Sequence, residues 1–240
     1  MPKSVCFDVL GTCFDFGPAI DEISERPGRK LSIINVDPKT LFFMWFFSAQ
    51  RDSTYTSLVG SYTPIAQILK HTFKRACLIV DLPFDQVSDE DVVAVMQQMM
   101  KLPPRPGLKA CYDGLRDAGW DVYGVTNGGK QTSLKYYELA DIKLDADHLL
   151  SCDDIAIAKP DVKVYETANK HLTSRGLGKE GDDERWFVAA HAWDLIAARK
   201  AGFKTAFLHH EEHDPVTEVF GEFDLYAEDM EILLQKMVAL

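Results

Sequence analysis

Ser4-Val5-Cys6-Phe7-Asp8-Val9-Leu10, followed by Gly11-Thr12, is a short apolar run broken by one acid and closed by a glycine. Its length and β-branched content predict a buried strand. An acid at the end of such a strand needs a reason, because burying an unpaired carboxylate is costly. A helix cap or turn is one reason; chemistry is the other. The reading of the whole chain turns on which of the two holds.

Downstream, the pattern changes twice. Residues 15–104 are mainly helical in periodicity: an aromatic-rich run at Leu41–Phe47, apolar residues at helical spacing over Ile65–Val80, and a helix from Asp89 with Ser88 as its N-cap. Leu102-Pro103-Pro104-Arg105-Pro106-Gly107 then stops any helix. From 105 onward strands and helices alternate. Trp120–Thr126 reads as a strand ending in Asn127-Gly128-Gly129, with helices over Leu108–Ala118 and Lys130–Ala140. Further strands are expected at His148–Ser151, Trp186–Ala190 and Lys204–Leu208, with helices at Lys163–Leu172, Trp193–Ala201 and Glu228–Val238, and a polar loop over Ser174–Arg185. Such alternation implies an α/β, Rossmann-like parallel sheet, with a core formed by residues 1–14 and 105–240 and a helical cap inserted at 15–104. In these sheets the active site lies at the carboxyl ends of the strands.

Composition narrows the function. The 240 residues include 26 basic and 37 acidic side chains, a formal net charge of -11, with no Lys/Arg-rich block. Nucleic acid and anionic lipid are therefore disfavoured as partners. Five cysteines, with no CxxC pair, indicate neither a disulfide framework nor a zinc site. The apolar run behind Met1 is too short for the core of a secretory signal. No stretch reaches the ~18–20 apolar residues of a membrane span. Cytoplasm is the expected location, and no cofactor is expected.

Polar residues follow four of the expected strands: Asp8 with Thr12, Thr126-Asn127, Lys159, and His191 with Asp194. Singly, each is as easily a turn, a cap or a solvated charge. Together they make a reactive set. A carboxylate can attack, hydroxyl and amide groups can hold an oxyanion, and a lysine can keep the carboxylate ionised.

Phe7-Asp8-Val9-Leu10-Gly11-Thr12-Cys13-Phe14-Asp15 resembles the first motif of the haloacid dehalogenase superfamily. Val125-Thr126-Asn127-Gly128 resembles the second and Lys159-Pro160-Asp161-Val162-Lys163-Val164-Tyr165-Glu166 the third. His191-Ala192-Trp193-Asp194, with Ala197-Ala198-Arg199-Lys200-Ala201-Gly202-Phe203 after it, resembles the fourth. Phosphatases of that superfamily carry a second acid two residues after the nucleophile, where this chain has Leu10. They also carry a magnesium-binding acid about four residues before the position of Asp194, where this chain has Ala190. Leu cannot transfer a proton and Ala cannot ligate a hard cation. The resemblance thus implies the metal-independent 2-haloacid dehalogenase branch, which acts on a small organic acid or organohalide. Asp8 would displace halide to form an ester, and Asp194, paired with Lys159, would activate water against it. Thr12, Thr126 and Asn127 would bind carboxylate oxygens, and Tyr165 would support Lys159 or the pocket. The branch commonly forms homodimers through the cap, and the same is expected here.

The resemblance is imperfect at three anchors. The cap arginine that receives halide aligns with Phe46, with Arg51 a turn or so away. A usual amide is His191, and a usual serine is Ala189. His191 reads either as a helix-start hydrogen-bond donor or as a general base for ester hydrolysis. Leu10, Trp193 and Phe46, with Trp45 and Phe47 near by, are expected to line an apolar pocket, although ordinary cap-to-core packing is the better reading for Phe43 and Trp45. His209, His210 and His213 lie in a Glu-rich segment that could attract a metal adventitiously; no functional metal is expected there. Two rival functions stand beside dehalogenation: a phosphatase or other hydrolase of a small electrophile, and a binding protein without catalysis.

Overall fold

The computed structural model describes residues 3–176 and 184–240. The chain divides into two compact units, Met1–Phe14 with Pro103–Leu240, and Asp15–Leu102.

The first unit is built on a six-stranded parallel sheet. The strands are β1 (Lys3–Asp8), β2 (Trp120–Thr126), β3 (Leu149–Ser151), β4 (Glu184–Ala189), β5 (Lys204–Leu208) and β6 (Leu225–Ala227). Their order is β3-β2-β1-β4-β5-β6, every neighbouring pair parallel. β1 lies in the interior of the sheet and is buried from Ser4 to Asp8. Its continuous apolar character follows from being covered on both faces. The chain lays down β2 and β3 on one side of β1, then returns to lay down β4, β5 and β6 on the other. The carboxyl ends of β1 and β4 therefore flank the topological switch point, where ligands of open α/β sheets bind.

Helices Leu108–Asp117, Lys130–Leu139, Val162–Ser174, Ala192–Lys200 and Met230–Val238 connect or follow these strands. Their starts carry local signals: Asp161 accepts from the Lys163 amide and Asp229 from the Ile232 amide. β4 begins at Glu184, so the predicted polar loop ends earlier than expected; its residues 177–183 lie outside the described residues. β6 and the short helix Thr217–Phe220 have no counterpart among the sequence expectations. Three-residue strands carry too little periodicity to stand out.

The second unit consists of helices Gly17–Glu25, Gly28–Ile33, Pro38–Leu58, Ile65–Ile79 and Asp89–Met99. Asp37 caps the longest of them, with Pro38 in the first turn. Ser88 caps the last in a reciprocal capping box with Asp91. Its core is aromatic. Phe46 sits 4.5 Å from Phe16 and 5.8 Å from Phe42, ring centre to ring centre. Trp45 packs edge-on against Phe73, and its indole N–H donates to the Leu69 carbonyl. Among the described residues, no helix is long and apolar enough to cross a membrane.

All five cysteines are free and buried. Burial pushes the thiols of Cys6, Cys77, Cys111 and Cys152 up to about 12, which leaves them as small core hydrophobes.

Candidate active site

Asp8 is the last residue of β1, and the sheet delivers its carboxylate to the carboxyl end of the strands. The backbone then turns sharply at Gly11, whose φ of +82° is a conformation that side-chain-bearing residues resist. The turn folds Thr12 back. Its hydroxyl donates to Asp8 Oδ2 at 2.6 Å and accepts from the Ala190 amide at 3.0 Å, tying the end of β1 to the end of β4.

Lys159 supplies the charge. Its ammonium lies 2.8 Å from Asp8 Oδ1 and 2.8 Å from Asp194 Oδ2, with only 1% of the side chain exposed. Burial alone would lower its pKa, but the two carboxylates outweigh that and hold it above the ordinary lysine value. Asp194 is fully buried in the first turn of the helix Ala192–Lys200. Burial raises its carboxyl above the ordinary range, against the pull of Lys159. The Tyr165 hydroxyl donates to Asp194 Oδ1, so Tyr165 supports the acid rather than the lysine. Both Asp194 oxygens thus already hold a donor. Asp194 is placed to fix and ionise Lys159 more directly than to reach water.

The β2 end plays a supporting part. Asn127 Oδ1 accepts from the Lys159 amide at 2.9 Å, pinning the segment that carries the ammonium. Thr126 Oγ1 accepts from the Gly128 amide at 2.9 Å, and Ser151 donates to the Gly128 carbonyl at 2.8 Å. Thr126 and Asn127, expected from sequence to engage a substrate, thus each accept from a backbone amide, Thr126 from Gly128 and Asn127 from Lys159.

The surroundings of His191 favour the donor reading. Its ring is buried and stacked on Trp193, with centroids 5.4 Å apart. Nδ1 faces Glu212 Oε1 at 3.3 Å. Nε2 faces the Leu10 carbonyl at 3.3 Å, Glu211 Oε1 at 3.6 Å and Asp8 Oδ2 at 3.7 Å. Burial opposes the charged ring, but the surrounding acids prevail and push its pKa up to about 10. An imidazolium has no lone pair with which to accept a proton, so these surroundings favour the donor reading of His191 over the general base. A group whose pKa rises on folding stabilises the fold below its unfolded value and loses that contribution as pH climbs through the folded value. Between pH 7.5 and 9.5 the urea midpoint of the wild type is expected to fall more steeply than that of His191→Asn. Parallel curves would show that His191 does not hold its proton over that interval.

The segment after β5 contributes residues that sequence reasoning passed over. Glu212 Oε2 accepts from the Ala192 amide at 2.9 Å, capping the Asp194-bearing helix from a distant part of the chain. Glu211 lies against the first turn after Asp8: a Cβ on Gly11 would fall 2.1 Å from its Oε2. Arg105 donates to the Gly11 carbonyl at 3.1 Å and reaches Glu211 Oε2 at 3.3 Å. Burial pushes Glu211 up to about 7, partly offset by His191 and Arg105. The signal for these residues was positional, since they follow the carboxyl end of a strand as the recognised motifs do. The histidines around them donate to separate carbonyls: His210 to Thr12, His209 to His213, and His213 to His209. They share no common centre.

Leu10, buried beside this array, enters it through its carbonyl. Phe46 belongs to the aromatic core of the helical unit, between Phe16 and Phe42. Arg51, on the same helix, pairs with Asp52 at 2.9 Å.

Comparison with known proteins agrees with this geometry. An (S)-2-haloacid dehalogenase of Pseudomonas sp. (strain YL) is 27% identical over 209 residues, covering 86% of this chain and 82% of that protein. The crystal structure of an L-2-haloacid dehalogenase shares the fold with a TM-score of 0.82 at 22% identity, over 100% of this chain and 99% of that one. The Xanthobacter autotrophicus L-2-haloacid dehalogenase, solved with chloropropionic acid covalently bound, superposes with a TM-score of 0.77 at 19% identity, over 99% and 98% of the two chains. A family model for haloacid dehalogenase-like hydrolases matches residues 2–202, a span holding every motif from Asp8 to Asp194, and the chain belongs to that family.

Proposed function

We propose that this protein hydrolyses the carbon–halogen bond of 2-haloalkanoic acids through an ester on Asp8. The observation that carries the reading is the Asp8–Lys159–Asp194 cluster, with both nitrogen–oxygen contacts at 2.8 Å, beside a leucine at position 10. The cluster gives the buried nucleophile a cationic partner within hydrogen-bond reach. Leu10 offers no proton to a leaving group, and halide needs none.

In the first half-reaction an Asp8 oxygen bonds to the halogen-bearing carbon and halide departs with the bonding pair. Lys159 and Thr12, each on one Asp8 oxygen, hold the carboxylate for attack, and the one whose oxygen does not bond to carbon then stabilises the carbonyl oxygen of the ester. In the second, water adds to the Asp8 carboxyl carbon and the bond to the alkyl-bearing oxygen breaks. The 2-hydroxy acid leaves with one proton, and one further proton passes to solvent as Asp8 returns to its ionised form. The curated relative from Pseudomonas sp. (strain YL), an (S)-2-haloacid dehalogenase, supports this substrate class and the S enantiomer.

The test is halide release from a panel of 2-haloacids, with and without a chelator. Release that survives chelation and is accompanied by equimolar 2-hydroxy acid is the expected result. If no haloacid releases halide, the reading fails and a different electrophile must be sought.

A further inference from the structure

The hydrolytic half-reaction needs a group to take a proton from water. We propose that Glu211 is that group, its Oε1 accepting the proton of the water that cleaves the Asp8 ester. The inference rests on the ester mechanism above and assigns the base within it.

The acid that the family pattern would assign to this task is poorly disposed for it. Asp194 is fully buried, with Lys159 on one oxygen and Tyr165 on the other. Leu10 has no proton chemistry, and both ring nitrogens of His191 face acceptors among acids that raise its pKa, so the ring is set to donate rather than to take a proton. Glu211 differs from all three. Its side chain is 1% exposed, and its Oε1 accepts no hydrogen bond. Buried carboxylate oxygens are rarely left without a donor. In the reaction proposed here, the donor on offer is water.

The position suits the chemistry. Glu211 presses on Gly11, three residues beyond the nucleophile, so closely that a Cβ there would displace its carboxylate. One atom, His191 Nε2, faces both Glu211 Oε1 at 3.6 Å and Asp8 Oδ2 at 3.7 Å. The imidazolium therefore stands beside both groups, where it keeps Glu211 ionised before the step and favours the negative charge that develops on the carboxyl group under attack. Four charged groups face Glu211 from the elements around it: His191 at the helix start, Arg105 ahead of Leu108–Asp117, Asp8 from β1, and Glu212 from its own segment. Their balance, with burial, puts the carboxyl near neutrality, the range in which a base exchanges protons efficiently.

The step balances. Water oxygen bonds to the Asp8 carboxyl carbon while one water proton passes to Glu211. Collapse breaks the bond between that carbon and the alkyl-bearing oxygen, whose electron pair then takes the proton back from Glu211. The second water proton leaves as Asp8 ionises.

The experiment is a single-turnover reaction of the full-length protein with (S)-2-chloropropionate, quenched in acid and followed by the mass of the Asp8 peptide, between pH 5.5 and 8.5. Glu211→Gln is expected to form the ester at close to the wild-type rate and to hydrolyse it about 100-fold more slowly or worse, so that ester accumulates. Wild-type ester decay is expected to accelerate through a limb near pH 7 that Glu211→Gln lacks. Should Glu211→Gln fail to fold, Glu211→Asp takes its place, with slower decay and the limb retained. Ester decay at the wild-type rate and pH profile in the folded variant would overturn the assignment, as would equal slowing of formation and decay. If the wild type itself forms no ester, both this assignment and the haloacid reading fall; if it forms one and Glu211→Gln hydrolyses it normally, only Glu211 is excluded.

Discussion

Asp8→Asn is expected to release halide at least about a thousand-fold more slowly than the wild type, the scale on which loss of a nucleophile acts. The amide keeps the shape of the carboxylate and can still accept from Lys159 through its one oxygen while its NH₂ faces the Thr12 hydroxyl. Neutral amide oxygen, however, is a far weaker nucleophile, and the site contains no substitute at its position. Asp194 is fully buried behind Lys159. Halide release and Asp8-peptide mass, measured in parallel, check the result: the wild type should show an alkyl adduct on the peptide during turnover and the variant none. Retained release in Asp8→Asn would place the chemistry on another residue.

Lys159→Met should be as damaging to turnover and, unlike Asp8→Asn, damaging to the fold. The ammonium touches two buried carboxylates at 2.8 Å each, and methionine leaves both without a cation. Removing one partner of a buried ion pair typically costs about 3–5 kcal/mol, because the remaining charge stays desolvated. Here two charges remain. Each can relieve the strain by binding a proton, which raises its pKa and costs Asp8 its nucleophilicity. The sign of the pH dependence follows. A carboxyl whose folded pKa is raised binds more protons in the native state than in the unfolded one, so stability falls as pH rises between the two values. The destabilisation of Lys159→Met should therefore be smallest near pH 5 and larger at pH 7.5, as read from urea midpoints. An equal deficit at both values would mean that lost packing, not stranded charge, explains it.

Much of this arrangement was legible in the sequence because a parallel sheet converts short local signals into proximity. Asp8, Asn127, Lys159 and Asp194 each follow an apolar run that ends in a turn or a helix start, and alternation of strand and helix brings those ends to one side. Thr12 was legible for the same reason, four residues beyond the nucleophile. Glu211 and Glu212 were not. Their segment, His209-His210-Glu211-Glu212-His213-Asp214, has the composition of a solvated loop, and nothing local says that two of its acids turn inward. That turn depends on Gly11, Arg105 and His191, which come from three other parts of the chain. His191 was ambiguous for a related reason: whether an imidazole accepts or donates is set by the acids around it, and those were the residues the sequence concealed. Phe46 shows the reverse case, an aromatic residue that alignment suggested for a pocket and that packs within the aromatic core of its own helical unit.

The interior place of β1 in the sheet also bears on how the molecule is made. β1 is synthesised first, yet its partners begin at Trp120 and Glu184. At ribosomal speeds of about 5–20 residues per second, the apolar segment carrying Asp8 waits on the order of ten seconds or longer for β4. The helical unit encoded between β1 and β2 has its own aromatic core and can condense during that interval. The sheet cannot. The hydrophobic strand therefore has no sheet partner until Trp120–Thr126 is made, and the nucleophile meets its ion cluster only once Lys159 and then Asp194 have followed.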